Sequence, residues 1–532
     1  MNRIVKLNIL KRLLTEYGIL LFVLSGFVAI KIPHLFYPYY WDESWPYASA
    51  IQAMYRHGIS LLPNAIDPEL SHGHPLFFHA IIALWMNIFG DSAFVRHSAA
   101  LLLSMMLLIS VFVALRRLYN NNVAIFALVV IATQEVIIVQ SSFVLPEMLI
   151  ALLSFLSLCA YVFRKHMLTG CLLTALFLTK ESGLTMGVVL SVAVFAELFG
   201  KLDVREKVMR SLSVGIPLLV IILFFILQKL EHGWFIFPLH EGMIQSSWKL
   251  YWYNFRMSCI RILFYNNFRF LICLIPVVLS LVATVKTRNY RLPVVLLPAA
   301  IIYYFVDDLR AGRLLPPIPF FIVFLSSMAW VLQNYSAERF LQSPQQRKFF
   351  VLAGSFVIVY LCFTTMNFIT YRYLITPLVV MLILLAVITD IMTRNSFPWL
   401  FYPAVILSIV ISGYACHENK DFGDSDMGAY DAMDVQRGIV NYFEKSGEYE
   451  AEIGVGSSLE IRHLTDESTG FLSSGKIFKH VTGDITDKTK YVIFDNIEPD
   501  KRYDTYKTDS NFQLVYQTRK NSVWGEIYKR RQ

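Results

Sequence analysis

Long apolar runs separated by short charged connections set the pattern of this chain. The runs are about 17–22 residues long, the length an α-helix needs to cross a hydrocarbon core ~30 Å thick. They predict thirteen crossings, at approximately 17–36, 97–115, 121–140, 146–163, 167–180, 183–199, 211–229, 268–285, 292–306, 314–332, 350–368, 373–392 and 398–415. The pattern changes after Cys416, where the chain becomes polar and is punctuated by Gly, Asp and Ser. There, Asp431 to Phe443 has helical spacing. Glu452 to Val455, Tyr491 to Phe494, Phe512 to Tyr516 and Val523 to Tyr528 alternate as short strands do.

Charge orients the crossings. Arg116-Arg117, Arg164-Lys165, Lys201 to Arg210, Lys286 to Arg291, Arg339 to Lys348 and Arg394 all fall on the side of the basic N-terminus (Arg3, Lys6, Lys11, Arg12), so that side is cytoplasmic. The apolar run after those N-terminal charges has no small-residue cleavage site and reads as a retained first helix. An odd number of crossings then puts the tail outside. The segment 74–90 is apolar enough for a further crossing, but crossing there would move the later basic loops outside. It is therefore expected at the outer interface or dipping in and returning, within a structured first outer loop, 37–96. A second long outer loop, 230–267, is aromatic. The expected fold is an all-α polytopic membrane protein with about 13 transmembrane helices (1–415) and a small soluble extracytoplasmic α/β domain (416–532).

Composition agrees. The 532 residues are 56% hydrophobic and only 16% charged, against about 25% charged in a soluble chain. This excludes a soluble enzyme, a fibre and a disordered chain. The net charge of +8 belongs to cytoplasmic loops and implies no nucleic acid. The six cysteines have no CxxC spacing and read as packing residues.

Ionisable groups at helix mouths are costly and so become candidates for function. Tyr39-Tyr40-Trp41-Asp42-Glu43-Ser44-Trp45 places two carboxylates among four aromatics just beyond the first crossing. It reads either as an aromatic belt with a helix N-cap or as a general base beside sugar-stacking rings, Tyr40, Trp41 and Trp45. His72 and His74 are metal ligands, phosphate donors or an inert loop pair. Glu147, after Pro146 in the first turn of a helix, is either matched to the helix dipole or aimed into an outer cavity. Lys180, Arg310, Arg313 and Arg372 are cations on the outer side, against the positive-inside bias. Glu181, Asp307 and Asp308 compensate them structurally, or a phosphate does so functionally, since the arginine fork donates two hydrogen bonds. A proton-coupled transporter would carry ionisable groups in mid-crossing. Only Gln134 and Glu135 approach that, and no inverted repeat is visible.

These residues, in this order, resemble the GT-C membrane glycosyltransferases, in the branch of protein O-mannosyltransferases and the lipid A aminoarabinose transferase. The resemblance rests on Trp41-Asp42-Glu43; on His72-Gly73-His74-Pro75-Leu76 leading to Phe89-Gly90 and Arg96; on Leu145-Pro146-Glu147 and Thr179-Lys180-Glu181; and on Arg313-Leu314-Leu315-Pro316 with Arg372-Tyr373-Leu374. It covers roughly 17–415. The sequence departs from the pattern at Gly73, where Lys is common, at His74 for Pro, at Glu147 for Asp and at Leu314 for Tyr.

The resemblance implies an inverting transfer of a monosaccharide from a polyprenyl-phosphate donor to a hydroxyl of a lipid, glycan or protein. The reaction would occur at the outer face of a bacterial inner membrane. Asp42 would be the general base, with Glu43 supporting or replacing it. Lys180, Arg313 and Arg372 would stabilise the leaving phosphate. Glu147, with His72 or His74, would orient the acceptor or hold a divalent cation, with Mg²⁺, Mn²⁺ and Zn²⁺ all left open. A flippase for a lipid-linked sugar and a polyprenyl-linked glycan ligase are the rival readings.

Overall fold

A computed structural model describes residues 3–245, 247–264, 272, 343–366, 370–396, 398–456 and 458–531. The crossings expected at 268–285, 292–306 and 314–332, and with them Arg313, lie outside the described residues. The chain forms two compact units. One comprises Met1–Ala29, Leu103–Ile138 and Pro146–Glu418; the other comprises Ile30–Leu102, Val139–Leu145 and Asn419–Gln532.

Among the described residues, seven helices are long and apolar enough to cross a membrane: Tyr17–Phe36, Ala93–Leu118, Glu181–Leu198, Val204–His232, Pro344–Thr364, Tyr371–Arg394 and Pro398–Glu418. Their ends follow local chemistry. The Asp203 side chain caps the helix Val204–His232, which closes on Gly233 at φ +84°. Ser343 and Gln346 form a reciprocal capping box ahead of Pro344. The helix Tyr371–Arg394 has an 18-residue apolar stretch that is buried throughout, as a helix hydrophobic all round must be.

Three crossings are shorter than the sequence pattern predicts. The helices Asn121–Ala132, Glu147–Val162 and His166–Phe177 have 10–17 residues. At 1.5 Å per residue a 12-residue helix spans only about 18 Å. The stretch 121–140 is interrupted at Thr133-Gln134, and a new turn starts at Glu135. The Thr133 hydroxyl donates to Val129 O and the Gln134 amide to Val130 O, so polar side chains take over carbonyls at the end of the helix. The loop expected at 230–267 contains a helix, Trp248–Phe264. Its Tyr251 hydroxyl and Asn254 amide donate to Cys362 O and Thr365 O, each at 3.3 Å.

In the other unit, helices Ser49–His57 and Phe77–Phe89 pack through Ala50, Met54, Leu76, Ala80 and Ala83. The 13 residues of Phe77–Phe89 reach only about 20 Å.

The tail folds as a five-stranded sheet, with β1 Glu452–Val455, β2 His480–Thr482, β3 Tyr491–Asp495, β4 Phe512–Lys520 and β5 Val523–Arg530, in the order β2-β1-β3-β5-β4. β1 runs parallel to β2 and β3, while β5 is antiparallel to β3 and β4. Every residue of β3 is buried, as for a central strand covered on both faces. The four strands read from alternation are present. β2 escaped notice because three residues are too few to show a period. The helix Ala429–Ser446 lies against β5 so closely that a Cβ on Gly525 would stand 2.7 Å from the Ile439 side chain.

The tail and the segment 37–96 belong to one compact unit and pack together. Tyr39 N donates to Thr469 O at 2.9 Å, the Tyr40 hydroxyl to Phe422 O at 2.6 Å and the Tyr37 hydroxyl to Asp434 at 3.0 Å. The buried Lys31 Nζ donates to the Tyr430 hydroxyl, which also contacts Ser142 Oγ at 2.9 Å.

Candidate functional site

Two groups of the expected residues are held in defined geometry, one in each unit.

The first is built on Glu147. Glu147 opens the helix Glu147–Val162, where a carboxylate opposes the positive end of the helix dipole, and its side chain is buried. Lys180 follows the helix His166–Phe177 in an extended conformation. Just beyond it, Gly183 packs on the preceding turn so tightly that a Cβ would stand 2.8 Å from Leu176 O. Arg372 lies in the turn Tyr371–Leu374 that enters the buried helix, and is only 1% exposed. Lys180 Nζ is 3.3 Å and Arg372 Nε 3.6 Å from the same atom, Glu147 Oε1. The Tyr373 ring serves both cations, with Lys180 Nζ 4.4 Å and Arg372 Cζ 5.1 Å from its centre.

Two cations thus converge on one carboxylate oxygen in a largely buried setting. Desolvating three charges is costly, and their mutual attraction offsets this only in good geometry. Lysine and arginine side chains gathered in this way are chemically suited to donate to an anion. Glu147 Oε2 is buried and has no hydrogen-bond partner among the described residues. Sequence reading named Glu147, Lys180 and Arg372 separately and missed Tyr373 as their shared platform. The signal was present, since Tyr373 follows Arg372 directly.

The second group is the acidic turn. Trp41–Glu43 forms a short helical turn closed by Glu43 N donating to Tyr40 O at 3.0 Å and by the Ser44 hydroxyl donating to Trp41 O at 2.9 Å. Trp41 sits at φ +50°, a left-handed conformation that a bulky residue adopts only under constraint. The two carboxylates differ in their surroundings. Glu43 is fully buried. Its Oε1 faces His97 Nε2 at 2.9 Å and accepts from Val144 N at 2.7 Å, and its Oε2 accepts from Tyr40 N at 3.3 Å. Asp42 is half-buried, and its charge acts on His72.

His72 is half-buried at φ +49°, in the turn after the helix Pro68–Ser71. Burial, and then the neighbouring His74, lower its pKa below the ordinary imidazole value, while Asp42 opposes them. The ring is therefore held toward its neutral form. Asp42, His72 and His74 share one neighbourhood, but among the described residues no three His, Cys, Asp or Glu side chains are placed to hold a metal ion. Among the described residues, Asp42, His72 and His74 do not form a donor set that fits a resident divalent cation.

The aromatic candidates separate too. Tyr40 is wholly buried, with its hydroxyl donating to the tail. Trp45 is half-buried and carries the Arg462 guanidinium 3.4 Å from its ring centre, so one ring face is already covered. Trp41 is half-buried beside Asp42.

No family model matches the chain, and no curated protein matches it in sequence. Solved structures do match it. The structure of ArnT from Cupriavidus metallidurans bound to undecaprenyl phosphate aligns with 96% of this chain and 98% of its own, at 13% identity and a TM-score of 0.50. ArnT from the same organism in the apo state aligns over the same shares at 15% identity and a TM-score of 0.44. The archaeal oligosaccharyltransferase AglB from Archaeoglobus fulgidus, in complex with an inhibitory peptide and a dolichol-phosphate, covers 96% of this chain and 74% of its own, at 13% identity and a TM-score of 0.41. The first match, over nearly the whole of both chains, shows that this chain has the GT-C fold expected from its sequence.

Proposed function

We propose that this protein is an integral-membrane glycosyltransferase that moves a monosaccharide from a polyprenyl-phosphate donor to a hydroxyl acceptor at the outer face of the membrane. The observation that carries the reading is the convergence of Lys180 and Arg372 on Glu147, a buried cationic set suited to a lipid phosphate. The ArnT structure of the same fold is bound to undecaprenyl phosphate, and that chemistry is carried to this chain as part of the proposal.

Asp42 takes the proton of the acceptor hydroxyl, whose oxygen attacks the anomeric carbon as the bond to the phosphate breaks. One displacement inverts the sugar. The leaving phosphate carries the developing charge, and Lys180 and Arg372, joined by Arg313, stabilise it. Glu147 sets the two cations, and His72 and His74 orient the acceptor. Glu43 supports Asp42 from its buried position. The half-exposed faces of Trp41 and Trp45 offer the sugar a stacking surface. The acceptor is a lipid, glycan or protein of the envelope of a bacterial inner membrane. The N-terminus is read as cytoplasmic from the basic connections. Residues 416–532 are read as extracytoplasmic, a placement supported by their packing with the 37–96 segment.

Mass spectrometry of envelope lipids, glycans and glycoproteins with and without the gene tests the reading. The expected result is one missing sugar mass on a defined carrier, restored by the wild-type gene but not by Asp42→Asn plus Glu43→Gln. Restoration by that double variant rejects the base assignment, and an unchanged glycan profile combined with altered transport of a lipid-linked sugar rejects the transferase.

A further inference from the structure

The sequence pattern marked Arg96 but passed over the residue after it. His97, in the first turns of the helix Ala93–Leu118, is 2% exposed. Its Nε2 meets Glu43 Oε1 at 2.9 Å and its Nδ1 meets Leu35 O at 3.1 Å. Both ring nitrogens thus face acceptors. The pair satisfies this only with one proton more than a neutral ring and a carboxylate hold together, as imidazolium and carboxylate or as imidazole and carboxylic acid. In either form Glu43 is engaged by His97, by Val144 N and by Tyr40 N.

One carboxylate therefore ties together four backbone segments: Leu35 through His97, Tyr40 directly, the helix that carries His97, and Val144 from 101 residues away. The next residue in the chain is Asp42, on a turn whose Trp41 sits at φ +50°. A conformation of that kind costs on the order of 1–3 kcal/mol and persists only where the surroundings enforce it.

We propose that His97 is a positioning residue which, through Glu43, fixes the turn carrying Asp42. This rests on the reading of Asp42 as the base. Histidine supplies what the site needs, a rigid donor that reaches an acceptor on each side of its ring. Without it, Glu43 Oε1 keeps only the Val144 amide and the turn gains freedom to rotate Asp42 away from its working orientation.

The test uses the full chain in lipid nanodiscs, as wild type, His97→Ala and His97→Gln. The glutamine amide can still donate to Glu43. Two readouts are taken: hydrogen exchange at the amides of residues 40–44 and 144, and transfer kinetics from a polyprenyl-phosphate sugar. His97→Ala is expected to exchange about tenfold faster at these amides. Its kcat is expected to fall about 100-fold, the scale of an ~1 Å misplacement, with the donor KM within about twofold of wild type. His97→Gln is expected to recover exchange protection and most of kcat. Wild-type exchange and kcat in His97→Ala overturn the proposal, and so does a loss of donor binding matching the loss of kcat that glutamine does not rescue. A wild-type protein that transfers no sugar rejects the functional reading instead, and the exchange data still decide whether His97 holds the turn.

Discussion

The acidic turn and the cation pair handle buried charge in opposite ways. Around Glu43, one carboxylate is matched by a histidine and two backbone amides, so its oxygens are occupied within the protein. Around Glu147, two cations share a single carboxylate oxygen, while the second oxygen has no partner among the described residues. The first arrangement is closed and acts as scaffolding. The second gathers two cations on one oxygen, the convergence on which the proposed phosphate site rests. The two adjacent acids of the turn, Asp42 and Glu43, divide the same way. The buried one is saturated and the half-exposed one keeps contact with its surroundings.

The contrast can be broken by mutation. The largest effect is expected for Asp42→Asn, which removes the proposed base and keeps the shape. kcat should fall by about 10³-fold, within the ~10²–10⁴ that a general base contributes, with donor KM unchanged in a membrane-reconstituted transfer assay. Arg372→Lys should follow, with kcat/KM down by about 100-fold, because an ammonium keeps the charge but not the planar fork that grips a phosphate at two points. Equal activity of Arg372→Lys and wild type would mean that charge alone matters at this position.

Further effects test the body that supports the acidic turn. In the tail, Glu460 and Asp495 are both buried and interact: burial and then the neighbouring Asp495 raise the Glu460 pKa well above the ordinary carboxylate value, while burial pushes Asp495 up to about 6 although its contact with Glu460 works the other way. Folding raises these pKa values above those of the unfolded chain. The contribution of Asp495 is therefore complete below about pH 4 and lost as pH rises through about 6, and that of Glu460 is lost as pH rises in the same direction. The strands Glu452–Val455 and Tyr491–Asp495 should accordingly lose hydrogen-exchange protection between pH 4.5 and 7.5, and Glu460→Gln should flatten that dependence. The smallest effect is expected for Arg462→Ala, which uncovers Trp45. Losing a partly buried cation–π contact should destabilise the tail by about 1 kcal/mol in denaturant melts.

The sequence exposed what depends on local pattern. The apolar runs gave most of the helices, alternation gave four of the five strands, and the cost of charge at helix mouths singled out Glu147, Lys180 and Arg372 before any of them was seen to touch another. What it hid depends on distance along the chain. His97 and Glu43 are 54 residues apart and Tyr40 reaches the tail across 382. No periodicity encodes such pairings, because they arise when packed elements bring unrelated segments together. The interruption at Thr133-Gln134 was hidden for another reason. Two polar residues at the end of an otherwise apolar run do not by themselves say whether the helix continues, and side-chain bonds to Val129 and Val130 carbonyls end it.

The most direct test of the central claim is binding of undecaprenyl phosphate to the protein in nanodiscs, measured for wild type, Asp42→Asn, and Arg372→Gln combined with Lys180→Met. Wild-type affinity is expected for Asp42→Asn, whose transfer is slowed by about 10³-fold, and at least a tenfold loss of affinity for the double variant. Unchanged affinity in the double variant, or loss of binding in Asp42→Asn alone, would contradict it.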